Sequence, residues 1–287
     1  YIGKVYFGVK QAINTSYEEV ERLPEVRNGL NITTEEKSPF SVLLLGTDSG
    51  DLGRTDQGRS DTLILATINP KKETTMFVSI PRDTYTEIIG HETKDKINHA
   101  YAYGGVPMAI ATVENLLATH VDYYAQINLK GMKELVDTVG GVEVNNPFSF
   151  TYEGIEFPIG KITLDGEKAL KYSRMRYDDP KGDYGRQQRQ QQILTGILDE
   201  LKSVGILSNY SNVLNVVGKN MKTDISWEMI KKEFGNSYSA FKNIKTEQLL
   251  GEGFTGDGTT GQQGISYQRI QEKELSRVRQ LIAEQLE

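Results

Sequence analysis

The chain has 287 residues, of which 37% are hydrophobic and 25% charged, with a formal net charge of −6 and no cysteine. That balance allows a sizeable buried core, and the acidic excess argues against a nucleic-acid binder. The absence of cysteine excludes disulfides, thiolate metal sites and thiol nucleophiles, and His91, His99 and His120 show no zinc-ligand spacing.

Mean hydropathy is −0.47, and no apolar run approaches the roughly 20 residues of a membrane span. The chain opens on Tyr1 rather than on a methionine, which leads us to expect a signal or anchor helix upstream. Tyr1 to Tyr17 reads as the continuation of such a helix. Glu18 to Ser38 is polar and punctuated by Pro24 and Gly29. Residues 1–38 are therefore expected to form a membrane-proximal extension, and residues 39–287 the catalytic domain.

Phe40 to Gly46 is a short continuous apolar run bounded by turn signals, as expected of a strand buried on both faces. A polar loop, Thr47 to Ser60, leads to a second strand, Asp61 to Ile68, and a third follows at Thr74 to Ile80. Val106 to His120 repeats apolar residues at helical spacing. Tyr123 to Ile127 reads as a strand, Met132 to Val139 as a helix, and Phe148 to Phe157 as a hairpin. Helices are expected at Asp165–Met175, Tyr184–Val204, Val213–Asn220 and Trp227–Phe241. Gly251 to Gly264 carries six glycines and is expected to be a flexible surface loop, with a polar helix from Ser266 to Gln285 closing the chain. Strands interleaved with helices predict an α/β layered fold around a buried sheet.

Three places carry residues suited to chemistry. Asp48 ends the first strand and Asp61 begins the second. On neighbouring strands their carboxylates could converge to hold a hard cation, or both could simply cap turns. Gly53 to Ser60 nearly matches a phosphate-binding loop, but Arg59 replaces its lysine and a strand follows where a helix must start. An EF-hand fails in the same loop for lack of oxygen ligands. Arg82 follows Pro81 at the end of the third strand, either near Asp48 or as a surface arginine paired to Asp83. The densest cluster is Arg174, Arg176, Arg186 and Arg189, with Asp183 and Gln190 among them. Arg174 and Arg176 alternate around Met175, and Arg186 and Gln190 share a helix face. Guanidinium forks match phosphate geometry. The plainer alternative is a solvated basic face balanced by Asp178, Asp179 and Asp183.

Seven ordered segments carry a resemblance. They are Leu44–Asp48, Arg59–Thr62, Ser79–Asp83, Lys96–Tyr101, Val139–Val142, Leu164–Leu170 and Arg174 through Gln190. As a set they resemble the LytR-CpsA-Psr family of cell-wall proteins. The resemblance implies an α-β-α sandwich with a central mixed sheet and a long apolar cleft for a lipid. It implies a single-pass membrane protein whose extracellular domain transfers undecaprenyl-pyrophosphate-linked glycopolymers, such as wall teichoic acid or capsule, onto peptidoglycan. In the family pattern Asp48 and Asp61 would hold Mg²⁺ (or Mn²⁺). Arg59, Arg82, Arg174, Arg176, Arg186 and Gln190 would hold the pyrophosphate.

Phosphoryl transfer needs charge neutralisation, and a metal with an arginine clamp supplies it. Asp183, between the two arginine pairs, is a candidate base for the acceptor hydroxyl, or else a salt-bridge partner that orients Arg174 or Arg186. The faces of Val106–His120 and Ile193–Leu201 are expected to line the lipid cleft in part. Arg189 is expected to point away from the site and to tolerate lysine. The competing readings are a polyprenyl-pyrophosphate hydrolase and a non-catalytic polyprenyl-phosphate-binding regulator.

Overall fold

A computed structural model describes residues 2–23, 38–48, 58–202, 210–229, 238–258 and 263–287. In chain order the elements begin with α1 (Ile2–Ser16), β1 (Phe40–Thr47), β2 (Ser60–Asn69), β3 (Thr74–Ile80), β4 (Tyr85–Ile88) and β5 (Thr93–Lys96). There follow α2 (Asn98–Leu117), β6 (Tyr123–Asn128), α3 (Leu129–Val139), β7 (Val142–Asn146), β8 (Phe150–Tyr152), β9 (Ile155–Phe157) and β10 (Gly160–Leu164). The chain continues through α4 (Gly166–Arg174), α5 (Asp183–Lys202), α6 (Tyr210–Asn220), β11 (Met221–Thr223) and α7 (Trp227–Met229). A 3-10 turn at Tyr238–Lys242, β12 (Asn243–Gln248), β13 (Glu252–Gly256), β14 (Ile265–Arg269) and α8 (Glu272–Leu286) complete it.

The chain divides into two compact units. One gathers residues 18–126 and 223–287, the other residues 1–17 and 127–222. A six-stranded mixed sheet has the order β11-β6-β1-β2-β3-β12, and β1, β2, β3 and β12 lie wholly in the first unit. The apolar runs make β1, β2 and β3 an antiparallel meander, and β12 joins β3 in parallel. Alternation sends Leu43, Leu45, Leu63, Leu65, Met76, Val78 and Ile80 into one core with Ile110, Val113 and Leu117 of α2 and Val278 and Ile282 of α8. The intervening set, Val42, Ile64, Ala66 and Phe77, is buried as well, so the sheet is covered on both faces.

The second unit has its own core. Val136 and Val139 of α3, Val142 and Val144 of β7, and Phe150 and Phe157 meet Tyr172, Ile193 and Ile197 there. Helix α1 packs on α6, where Gly218 lies close to the backbone of Ala12.

Several expectations shift. The helix expected at Val106 starts at Asn98, is broken at Gly104–Gly105, where Gly105 has φ 64°, and resumes beside Pro107. The glycine-rich stretch is not all loop: β13 and β14 form a hairpin in which Phe254 opposes Tyr267, and this aromatic pair stacks at 5.3 Å. The helix expected from Ser266 starts at Glu272, because Ile265–Arg269 is the second strand of that hairpin. Within Trp227–Phe241 the described parts are α7 and the 3-10 turn, and the stretch between lies outside the described residues. Ile110 and Val113 of α2 are buried in the core of the first unit, and Ile193 and Ile197 of α5 in that of the second.

Candidate functional site

The register of the meander positions the first cluster. Gly46 opposes Thr62, and a bulge then pairs Thr47 with Ser60. A side chain on Gly46 would meet Thr62 Cβ at 2.9 Å, so this close approach requires glycine. Asp48 leaves β1 beside the start of β2, and its Oδ1 accepts the Arg59 N–H at 2.9 Å. On the other side Leu63 opposes Ile80. Two residues further out the same register sets Asp61 against Arg82, whose Nη1 donates to Asp61 Oδ1 at 2.6 Å. Asp48, Arg59, Asp61 and Arg82 thus gather at one end of β1–β3. Arg59 is exposed, and the Asp61–Arg82 pair is half-buried.

Arg82 pairs across the strands rather than with its neighbour. Asp83 is taken instead by Lys96, whose Nζ lies 2.8 Å from Asp83 Oδ1. Lys96 opens the Lys96–Tyr101 segment, but nothing in the polar run Thr-Lys-Asp-Lys assigns it a partner. Most of the loop between Asp48 and Arg59, including the greater part of the phosphate-loop-like stretch, lies outside the described residues.

The carboxylates suit a hard divalent cation in kind. Both offer oxygen donors at the same strand ends, and among the described residues no group of three or more acidic or histidine side chains could surround a metal. A cation held by only two carboxylates completes its shell with water and phosphate oxygens, as Mg²⁺ prefers.

The second cluster belongs to the other unit. Asp165 caps α4 by accepting the Lys168 N–H at 2.8 Å. The helix ends at Arg174, and Met175 turns extended (ψ 134°) and is buried. Arg174, the last residue of α4, and Arg176 flank it, the first exposed and the second half-buried. Helix α5 opens at Asp183. Its Oδ1 lies 2.7 Å from Arg186 Nη2 and 3.8 Å from Arg176 Nε, and its Oδ2 accepts from Gln187 Nε2 at 3.0 Å. Gln190 follows one turn after Arg186 and is half-buried. The carboxylate therefore spans two guanidinium groups, Arg186, as the orienting role expected from the sequence has it, and Arg176 in place of Arg174. Gln187 was not singled out, although its place one turn after Asp183 could have marked it.

Arg189 corrects one expectation. It is among the most buried side chains of the chain, at 1% exposure. Its Nε donates to Tyr172 O at 2.9 Å, and its two terminal nitrogens hold Asp179 Oδ2 and Met175 O. Its guanidinium also lies over the rings of Phe150 (5.5 Å) and Tyr172 (5.7 Å). Residues three apart on a helix differ by only about 60°, so Arg189 does not face opposite to Arg186. Burial pushes the Tyr172 hydroxyl up to about 12, opposed by the Arg189 charge.

The LytR_cpsA_psr family model matches residues 4–284. A polyisoprenyl-teichoic acid–peptidoglycan teichoic acid transferase TagU of Enterococcus faecalis is 50% identical over 283 residues, covering 99% of this chain and 90% of that protein. The crystal structure of Bacillus subtilis TagU aligns with a TM-score of 0.68 at 42% identity, over 88% of this chain and 98% of that one. A structure described as TagT bound to LI-WTA aligns with a TM-score of 0.74 at 30% identity, over 93% of this chain and 99% of that one.

Proposed function

Because the chain belongs to the LytR_cpsA_psr family, we propose that it is a transferase that moves a polyprenyl-pyrophosphate-linked teichoic acid or related glycopolymer onto peptidoglycan. The observation that carries this reading is the Asp61–Arg82 pair at 2.6 Å, with Asp48 and Arg59 at the same strand ends. It sets a carboxylate suited to a metal beside a guanidinium suited to a phosphate. The names of the relatives above supply the class of donor and acceptor.

In the proposed reaction an acceptor hydroxyl attacks the glycan-bearing phosphorus and releases its proton to water, and polyprenyl phosphate departs with the bridging oxygen. Mg²⁺ bound by Asp48 and Asp61 would offset charge on the pyrophosphate oxygens. Arg59 and Arg82 would bind phosphate oxygens, and forked donors do so at two atoms at once; Arg174, Arg176, Arg186 and Gln190 of the other unit offer the same chemistry. Asp183 holds Arg176 and Arg186 in orientation, the part its ion pairs support. No other group need bond covalently to the substrate, since such transfer is governed by positioning and charge.

The reading includes an apolar cleft for the polyprenyl chain and action outside the cell from a membrane anchor. Helix α1 has 15 residues and spans about 22 Å, short of the roughly 30 Å hydrocarbon layer. Among the described residues no helix is long and apolar enough to cross a membrane.

The test is a transfer assay with a short-chain pyrophosphate-lipid glycan donor and uncross-linked peptidoglycan, with and without EDTA. Labelled glycan bound to peptidoglycan, lost in EDTA and restored by Mg²⁺, is the expected result. Release of glycan phosphate without acceptor would make the chain a hydrolase. Donor binding without turnover would make it a carrier.

A further inference from the structure

A transferase of this kind needs a second subsite, for the polymer that receives the glycan. Two exposed aromatic groups in the sheet-bearing unit have the chemistry to bind one. In the first, Tyr85 of β4 is 37% exposed and meets Phe254 edge-on at 5.4 Å and Tyr267 at 5.1 Å, and Arg269 lies 4.4 Å over the Phe254 ring. In the second, Tyr103 is 38% exposed and stacks on His91 at 4.0 Å with the rings 8° from parallel.

One buried carboxylate links the two groups. Asp95, 2% exposed, accepts the Tyr103 hydroxyl at 2.8 Å on one oxygen and the Tyr267 hydroxyl at 3.4 Å on the other. His99 Nδ1 lies 2.7 Å from the same carboxylate. Burial would raise the Asp95 pKa, but the bonds from His99, Tyr103 and the Lys96 N–H outweigh it and hold the group below the ordinary carboxylate range. The polar ends of Tyr103 and Tyr267 are thus tied inward, and the Tyr103 ring is presented outward. An exposed tyrosine usually turns its hydroxyl to water. Rings locked in place lose little entropy on binding.

The shelf adjoins the first catalytic cluster. Lys96 Nζ sits 5.6 Å from the Tyr267 ring centroid and bonds Asp83, the residue after Arg82. The Arg82 carbonyl accepts the Asn98 N–H at 3.3 Å, and the Asp83 carbonyl accepts the Gln268 N–H at 2.8 Å. The residue that carries the phosphate-directed guanidinium and the residue that anchors the shelf are therefore adjacent.

We propose that the aromatic shelf of Tyr85, Phe254 and Tyr103, beside the Arg82–Asp83 segment, is the binding subsite for the glycan strand of the peptidoglycan acceptor. The inference rests on the transferase reading. A sugar ring offers an apolar C–H face to an aromatic ring and hydroxyls to charged groups at its rim. The shelf supplies both, through its rings and through Arg269 and the Lys96–Asp83 pair. A few separate rings among polar side chains suit a carbohydrate better than a protein, which would seek a larger continuous apolar patch.

The experiment measures binding of soluble uncross-linked peptidoglycan strands by calorimetry, alongside transfer kinetics, in the full chain. Tyr85→Ala with Phe254→Ala is expected to weaken strand binding and raise the acceptor KM by about tenfold or more, with donor KM and kcat unchanged. Tyr85→Phe, which keeps the ring, should bind strands more tightly than Tyr85→Ala. Ile159→Ala, at an exposed site of the other unit, should also leave binding unchanged. Wild-type strand affinity in the Tyr85→Ala, Phe254→Ala protein, confirmed as folded by circular dichroism, would overturn the inference, as would a wild-type chain that binds no strands. Failure of the transferase reading looks different: the wild type neither binds a pyrophosphate lipid nor transfers from it.

Discussion

Replacing Arg189 by lysine keeps the charge and removes the fork. The guanidinium serves Tyr172 O, Asp179 Oδ2 and Met175 O from three nitrogens in one plane. A single ammonium on a differently shaped stem cannot reach all three. At least one backbone carbonyl then stays buried without a donor, at about 1–3 kcal/mol, and the contact with the Phe150 and Tyr172 rings weakens by about 1 kcal/mol. We expect Arg189→Lys to destabilise its unit by about 3 kcal/mol. Arg189→Met should cost more, about 3–5 kcal/mol, because the Asp179 carboxylate, 3% exposed, is left without its cation. The assay is urea unfolding followed by circular dichroism, with calorimetry for the change in Tm. The double change Arg189→Met, Asp179→Leu should recover much of the loss, since removing both partners is milder than removing one. An Arg189→Lys protein within about 0.5 kcal/mol of wild type would refute the reasoning.

Four further outcomes are expected. Asp61→Asn should lower transfer by about 100-fold or more with little change in Tm, because the Asp61–Arg82 pair is half-exposed; parallel transfer and melting measurements check it. Arg176→Lys and Arg186→Lys should each lose most transfer although charge is kept, and a pyrophosphate-lipid binding assay should show the same order of loss. Burial raises the Asp122 carboxyl, opposed by Ser41, His120 and Arg22. A carboxyl raised on folding holds its proton more tightly in the folded state, so its contribution favours folding below the unfolded value, about 3.9, and is lost as pH rises through the folded one; Asp122→Asn should flatten the stability–pH curve above about pH 4, and an unchanged slope would count against it. Gly185→Ala would drive a Cβ into the Asp179 carboxylate, so it should displace the Arg189 partner and lower Tm much as Arg189→Lys does.

The inner strands were legible because Val42–Leu45, Leu63–Ile68 and Met76–Ile80 are apolar on both faces, and only a doubly covered sheet accepts such runs. The Asp61–Arg82 match was not legible: the sequence sets Arg82 near Asp48 or beside Asp83, and only the register in which Leu63 opposes Ile80 brings it against Asp61. The β4–β5 hairpin was not legible. Thr93–Lys96 is polar throughout, and its value lies in long-range bonds from Asp95 and Lys96 that no local pattern encodes. Arg189 was misread for a related reason. Its sequence context matches that of Arg186, and only the carbonyls of Tyr172 and Met175 and the Asp179 carboxylate separate a core cation from one at the rim. The β13–β14 hairpin was hidden by its glycines, whose weak strand preference yields to the cross-strand pairing of Phe254 with Tyr267.

The strand order β11-β6-β1-β2-β3-β12 has a consequence for how the chain is made. The four inner strands all lie before residue 129, but both outermost strands come from the last third, Met221–Thr223 and Asn243–Gln248. Helix α1 likewise waits for α6, whose residues start at Tyr210. Synthesis therefore yields a sheet with two bare edges for most of its course, and closure depends on contacts between distant parts of the sequence, which form slowly. A nascent chain stopped at Lys202 should pair edge to edge and aggregate, while release of the remaining 85 residues supplies both border strands at once.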